Sequence, residues 1–469
     1  MTGVGRSTGT GREPLAGSHT VLARLDLRRS RIPTRAWRAR LPHRRHAHQR
    51  RSVLCGCGPE RLVSRGIIAR LRKWRQNRDV TMWPRTAFLV ALLPCGGCAD
   101  SESVHPDATS GTGLLGECSG FSATRERIVA ISGGYATTCA AWSDGAAWCW
   151  GTNGAGELGY PSESIVDVPG QVGVSPCVDG IAAGGEHGCA RMRDGTADCW
   201  GENIFGSLGN PDGGGPNPVP VLGIGTAVDV GARGYDTGAL LVDGTIMQWG
   251  QRVSDRGEHA AVPVKVDVPQ ATALAVGSGH ACAIASGAVW CWGSNRAGEL
   301  GFEVSGSPVE HYLPAPVAGL ADAVSVAVGY EFTCALLKLG TVACWGRNEV
   351  GQLGNGSQVD SFVPVQVIGV KDAVQLFAND DRGCAVLKDG SLWCWGDFVD
   401  QPLQLTAAQT SGVQNVTQAA LGSSHTCVVE GDSTMFCWGL NVYGQLGLGW
   451  TENTYVATPT QVKWPWLVE

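Results

Sequence analysis

The 469 residues carry 36 Lys plus Arg against 42 Asp plus Glu, but that near balance joins two unlike parts. Before Met82 stand 20 basic and 4 acidic residues, leaving 16 basic and 38 acidic ones from there on. So acidic a remainder excludes the phosphate-neutralising surface of a nucleic-acid binder, and 18 cysteines are out of keeping with a reducing cytosol.

Residues 1–81 show no sustained apolar period, and Arg28, Arg29, Arg31, Arg35, Arg38, Arg40, Arg44 and Arg45 fall in one run. They read as a basic extension, either an arm of the protein or sequence upstream of the true start. The second reading is preferred because a fresh beginning follows. Met82 and Arg85 lead into the apolar stretch Ala87-Phe88-Leu89-Val90-Ala91-Leu92-Leu93, then Pro94-Cys95-Gly96-Gly97-Cys98. This is the layout of an export signal over residues 82–98, too short to span a bilayer and ending in small residues. Gly96 and Gly97 ahead of Cys98 also resemble the lipobox of bacterial lipoproteins, whose cysteine is acylated. Cys95 stands where that motif usually has Leu, so lipidation of Cys98 and simple secretion both stay open. Either way the mature protein is expected outside the cytoplasm, touching a membrane only through a lipid anchor. Residues 99–125, with Ser, Thr, Gly and Asp, read as a linker.

From 126 to 469 the chain repeats. Trp followed by Gly recurs at Trp150, Trp200, Trp249, Trp292, Trp345, Trp395 and Trp438, and Cys precedes the Trp in six of the seven. The spacings, 43 to 53 residues, each suit one four-stranded blade. Every unit runs from an alternating apolar segment through glycines to a strand, with cysteine in six of the seven, a tight turn, and a second strand ending Trp-Gly. Most then add Asn and Gly-x-Leu-Gly, as in Asn153 with Gly156-Glu157-Leu158-Gly159, Asn348 with Gly351-Gln352-Leu353-Gly354, and Asn441 with Gly444-Gln445-Leu446-Gly447.

These units resemble the repeats of the regulator of chromosome condensation family, which implies an all-β, seven-bladed β-propeller over about residues 126–469. The third unit lacks the Gly-x-Leu-Gly loop, and the sixth has Asp397-Phe398-Val399-Asp400-Gln401-Pro402 instead, so their loops are expected to differ in shape. A Pro-containing strand follows each Trp-Gly, as in Val262-Pro263-Val264, and suits an exposed blade edge. The last copy, Thr458-Pro459-Thr460-Gln461-Val462, has no counterpart before Ile128, so the C-terminal strand is expected to close the ring by completing the first blade.

Twelve cysteines pair within repeats: Cys139 with Cys149, Cys189 with Cys199, Cys282 with Cys291, Cys334 with Cys344, Cys384 with Cys394, and Cys427 with Cys437. Hairpin geometry makes them disulfides. In the fourth unit the turn shortens to Ser286-Gly287 and the cysteine separation falls from ten to nine, which keeps the pair in register. In the third unit both positions change together, to Gly238 and Gln248. Zinc is the competing reading, because His187, His280 and His425 each lie two residues before a cysteine, but metal sites usually space their cysteines two to four apart. The histidines are expected to be packed and hydrogen-bonded within the blade. Cys118 and Cys177 remain, and their pairing stays open.

No nucleophile elbow, phosphate loop or paired acidic motif appears in the repeats, and no cofactor or metal is expected. Asp144, Asp194, Asp243 and Asp389 sit in Asp-Gly or related turns, where the carboxylate serves local backbone. Trp450, Trp464 and Trp466 fall outside the Trp-Gly position and are candidate surface aromatics. The family resemblance brings a nuclear exchange factor for a small GTPase and a secreted bacterial inhibitor of β-lactamases, and only the second suits an exported chain. The expectation is a monomeric, non-enzymatic propeller that recognises a protein or glycan through its loop face. The alternative is a cell-wall-directed hydrolase or lyase with its site on the ring face. Acids or histidines converging from several blades on one cleft would favour the enzyme; an aromatic-rimmed face with scattered turn acids would favour binding.

Overall fold

The computed structural model describes residues 125–466 apart from 252–257, 304–309, 400 and 432. The basic extension, the signal with Cys98 and the linker as far as 124, Cys118 included, lie outside the described residues. Within them the chain forms 28 strands, β1 to β28, and no helix. In the first blade β1 (Ile128–Gly133), β2 (Thr137–Trp142), β3 (Ala147–Thr152) and β4 (Ile165–Gln171) pair in chain order as an antiparallel meander. Six more four-stranded meanders follow, at 178–220, 227–266, 271–316, 323–366, 373–409 and 416–461. The first strand of each blade touches the first strand of the next, and β1 touches β25 (Val416–Leu421). The seven sheets therefore form a ring, with first strands around the axis and fourth strands outermost.

The way the ring closes departs from expectation. The last strand, β28 (Glu452–Gln461), pairs with β27 (Thr434–Asn441) in the seventh blade, and the first blade has its own fourth strand in β4. A strand joined to its predecessor by a short loop pairs with it at least entropic cost, so the strand after each Trp-Gly is the outer strand of the same repeat. No unit lacks a strand, and none is exchanged.

What joins the blades explains the repeat. The glycine after each of the seven tryptophans has a positive φ, between 97° and 116°, and a Cβ there would collide with a carbonyl of the turn between the blade's first two strands. Freed of that atom, the next amide donates to the same carbonyl in every blade, as from Thr152 to Ala136 and from Leu440 to Ser424. The loop that follows is fixed by its asparagine, whose Oδ1 accepts from the Leu amide five residues on in blades one, two, four, five and seven. It then reaches the next blade. The indole Nε1 of Trp200, Trp249, Trp345, Trp395 and Trp150 donates to a carbonyl of the preceding blade's loop at 2.8 to 3.0 Å. The two blades that follow a unit without Gly-x-Leu-Gly are served otherwise. Trp292 donates to Oε1 of Gln248, at 2.8 Å, and Trp438 packs in one cluster with Phe398. Gln248 thus occupies the place of a cysteine and supplies the acceptor that a Gly-x-Leu-Gly loop carbonyl supplies in other blades. Each of seven apolar clusters straddles two neighbouring blades, the one at the seam joining Trp150 and Trp142 to Leu446, Val462 and Trp464.

All six predicted cysteine pairs are disulfides, with Cα atoms 4.0 to 4.2 Å apart on facing strands. Oxidised sulfurs leave no thiolate for zinc. Cys177 is disulfide-bonded as well.

The three histidines bind across blades and not within one. His187 Nε2 lies 2.8 Å from Thr237 Oγ1, His280 Nε2 3.0 Å from Thr333 Oγ1, and His425 Nε2 2.8 Å from Thr138 Oγ1. Each threonine hydroxyl gives its own proton to the loop carbonyl that also caps the tryptophan. Nε2–H is therefore the donor to the hydroxyl. Burial holds His187 and His280 down at about 4 and His425 at about 3. An unfolded chain takes up these protons near pH 6.5 while the folded one does not, so stability falls as pH drops from about 6.5 towards 4. Asp229, raised to about 6 by burial, opposes part of this slope. His187→Gln keeps a donor in place without the proton equilibrium. In urea titrations near pH 5 it should lower the dependence of unfolding free energy on pH by about 1.4 kcal/mol per pH unit. An unchanged slope would contradict a neutral buried imidazole.

Candidate functional site: the loop face

In each meander the turn between the first and second strands and the loop between the third and fourth emerge on one face, and the Asp-Gly turns emerge on the other. On that other face Asp144, Asp194, Asp243 and Asp389 each accept a hydrogen bond from the amide two residues on. These bonds, with those from the Thr196, Thr245 and Ser391 side chains, hold Asp194, Asp243 and Asp389 below the usual carboxylate range. They are turn residues, and no catalytic role is built around them.

The loop face is rimmed by tyrosines. Tyr135, Tyr330 and Tyr443 are 37% to 45% exposed, and Tyr235 lies among them with its hydroxyl donating to Glu186 Oε2 at 3.0 Å. The axis is crossed at this face by Arg233, a blade-three residue whose guanidinium pairs with Asp380 of blade six and lies 5.4 Å from the Tyr135 ring of blade one. Beside it, Arg347 holds Glu349 at 2.6 Å and Asp381 at 3.2 Å. Burial raises the Asp381 carboxyl, and the Arg347 charge opposes that shift. In blade six Arg382 is buried and donates to the carbonyls of Gly422 and His425, so it ties blades and is not presented to a ligand.

Between blades seven, one and two this face opens into a groove of about 610 Å3, walled by Tyr135, Tyr443 and Ile165 and floored by Glu157, Glu186 and Glu202. A smaller cavity of about 110 Å3 is lined by residues of blades three, four and five, among them His280, Arg296 and Glu331. Among the described residues no cluster of three or more His, Cys, Asp and Glu could hold a metal ion.

Of the tryptophans singled out from sequence, Trp450 and Trp466 are 39% and 36% exposed. Trp464 is a correction: it is 2% exposed, edge-on to Trp142 and Trp150 with centroids 4.9 and 5.6 Å away. Its indole fills the seam between the last blade and the first. Trp466 stacks on Trp464 and carries the guanidinium of Arg125 4.2 Å above its ring. The rim tyrosines and groove glutamates went unnoticed in the sequence. Their signal is a bulky residue just after a turn glycine, as in Gly134-Tyr135, Gly185-Glu186, Gly234-Tyr235 and Gly329-Tyr330.

The profile of the regulator of chromosome condensation (RCC1) repeat matches residues 144–191, 286–336, 340–385 and 432–466, and a second RCC1-repeat profile matches 178–207, 323–352 and 416–445. Those stretches are RCC1 repeats. Three solved structures share the fold. Yeast RCC1 (Prp20) in complex with Kap60 is 22% identical at a TM-score of 0.62, over 67% of this chain and 83% of that one. Prp20p of Saccharomyces cerevisiae described on its own is 21% identical at 0.60, over 67% and 85%. Human WBSCR16 is 18% identical at 0.60, over 68% and 94%. At these identities the RCC1-repeat likeness is one of fold.

Proposed function

We propose that this RCC1-repeat protein is an exported, non-enzymatic binding propeller that grips a protein partner with its loop face. The observation that carries the reading is the rim of exposed Tyr135, Tyr330 and Tyr443 around an axis already plugged by Arg233 and Asp380. Tyrosine supplies large, rigid contact area at small entropic cost and is enriched in protein interfaces. His187, His280 and His425 are buried between blades and bonded there to threonines. Protein ligands also suit the fold: yeast Prp20 is seen bound to Kap60, and binding to Gsp1p and histones is described for it. Export is supported by the six disulfides, which need an oxidising compartment.

The test is capture from the envelope fraction of the source organism on the immobilised full chain, repeated with Tyr330→Ala/Tyr443→Ala and with Asp194→Asn/Asp243→Asn on the opposite face. A specific protein should be retained by the native chain and the Asp variant and lost from the Tyr variant. Retention by the Tyr variant together with loss from the Asp variant would move the binding surface to the other face.

A further inference from the structure

We propose that the groove between blades seven, one and two receives a lysine or arginine side chain from an exposed segment of a protein partner. This deepens the loop-face reading and rests on it.

Charge on the loop face is unevenly settled. Around Arg233 and Arg347 three acids have a counter-ion: Asp380 pairs with the first, Asp381 and Glu349 with the second. In the groove, the lining residues include three glutamates and no Lys, Arg or His. Glu186 accepts the Tyr235 hydroxyl and Glu202 accepts the amide of Asn203, at 3.0 and 2.9 Å, and among the described residues no cation pairs with either.

Glu157 at the groove floor gives the sharper sign. It is only 5% exposed, and its Oε2 accepts the Ala155 amide at 2.8 Å. The equivalent Glu299 of blade four uses both oxygens, Oε1 taking the Ser294 hydroxyl at 2.7 Å and Oε2 the Ala297 amide at 2.8 Å. Gln352 of blade five also has both ends engaged, with the Val350 amide and with Asp381. In blade one Thr152 stands where blade four has Ser294, and no donor among the described residues reaches Glu157 Oε1. A nine-tenths-buried carboxylate thus turns one open oxygen into a cavity that two further carboxylates border. That oxygen is open to the groove, and a cationic donor entering there gains a charge-assisted hydrogen bond.

The walls suit the same guest. Tyr443 offers a π face that attracts an ammonium or guanidinium, Tyr135 already draws the Arg233 guanidinium in this way, and Ile165, 41% exposed, offers an apolar wall for the methylene stem. A volume of about 610 Å3 admits a long side chain with part of its backbone.

The probe is a fluorescein-labelled tetra-arginine amide, compared with tetra-glutamate of the same length, titrated into the full chain and followed by anisotropy at low salt. The arginine peptide should bind and the glutamate peptide should not. Glu186→Gln/Glu202→Gln and Tyr135→Ala/Tyr443→Ala should each weaken binding at least tenfold. Asp194→Asn/Asp243→Asn removes as much negative charge from the opposite face and should leave binding within twofold. Thermal melts of each variant confirm that the ring is intact. Equal weakening by all three variants, or by none, would show mere attraction to an acidic chain and overturn the groove. If a captured loop-face partner still binds the Glu186/Glu202 variant at full strength, the groove inference fails while the loop-face function stands. If no loop-face partner is found but the peptide pattern holds, the reverse applies.

Discussion

With its six hairpin disulfides reduced, the propeller is expected to lose most of its stability. Each closes a loop of about ten residues, and constraining the unfolded chain that way contributes roughly 2–3 kcal/mol. Six together rival the whole stability of an ordinary domain, about 5–15 kcal/mol. The paired cysteines are at most 5% exposed, so reductant reaches them only when a blade opens, and loss should be slow at first and then cooperative. Unfolding in urea with and without dithiothreitol, after prolonged incubation, measures the sum. Cys334→Ala/Cys344→Ala measures one staple and should cost about 2–3 kcal/mol. Blade three, with Gly238 and Gln248 in these positions, shows that a blade folds without one. A reduced chain with an unshifted midpoint would mean that the inter-blade cores alone sustain the ring.

The second large effect is expected at the seam between the last blade and the first. The junction uses the same bonds as the others: Thr138 with His425, Trp150 with the Gln445 carbonyl, and the Ser423 amide with the Gly134 carbonyl. It also has Trp464, buried against Trp142 and Trp150. Trp464→Ala removes about 3–5 kcal/mol of packing from this one place. Hydrogen exchange should then rise in β1 and β25 before it rises in blades three to five, because the ring opens where it is joined. Exchange that increases evenly round the circle would show that no junction is the weakest.

Most of the architecture was legible because it is written in single residues with strict local duties. The glycine after each tryptophan is there because a Cβ would strike a turn carbonyl, and the cysteine pairs track hairpin register. Ring closure was misread because strand order alone does not say which neighbour a strand pairs with; the Pro strand at 458–462 fitted either the seventh blade or the first until its hydrogen bonds to β27 were seen. Trp464 was misplaced for a related reason, since burial at a chain end depends on a partner more than 300 residues away. The histidines were rightly read as structural, but their partners lie one repeat further on. A Thr follows in the next unit wherever a His stands, at Thr237, Thr333 and Thr138, which comparison of neighbouring repeats could have shown. The groove was invisible because its lining comes from three blades and from loops of unequal length.

Because every blade is one uninterrupted stretch of chain, the circle has no privileged starting point. A circular permutant whose ends are moved to the connection between Gln366 and Ala373 would keep all seven meanders whole, provided a peptide linker joins the present termini. Whole blades could likewise be transplanted as cassettes, but not in arbitrary order. A blade carrying His must be followed by one carrying Thr, and a blade without the Gly-x-Leu-Gly loop by one whose tryptophan finds another companion, as Trp292 does in Gln248.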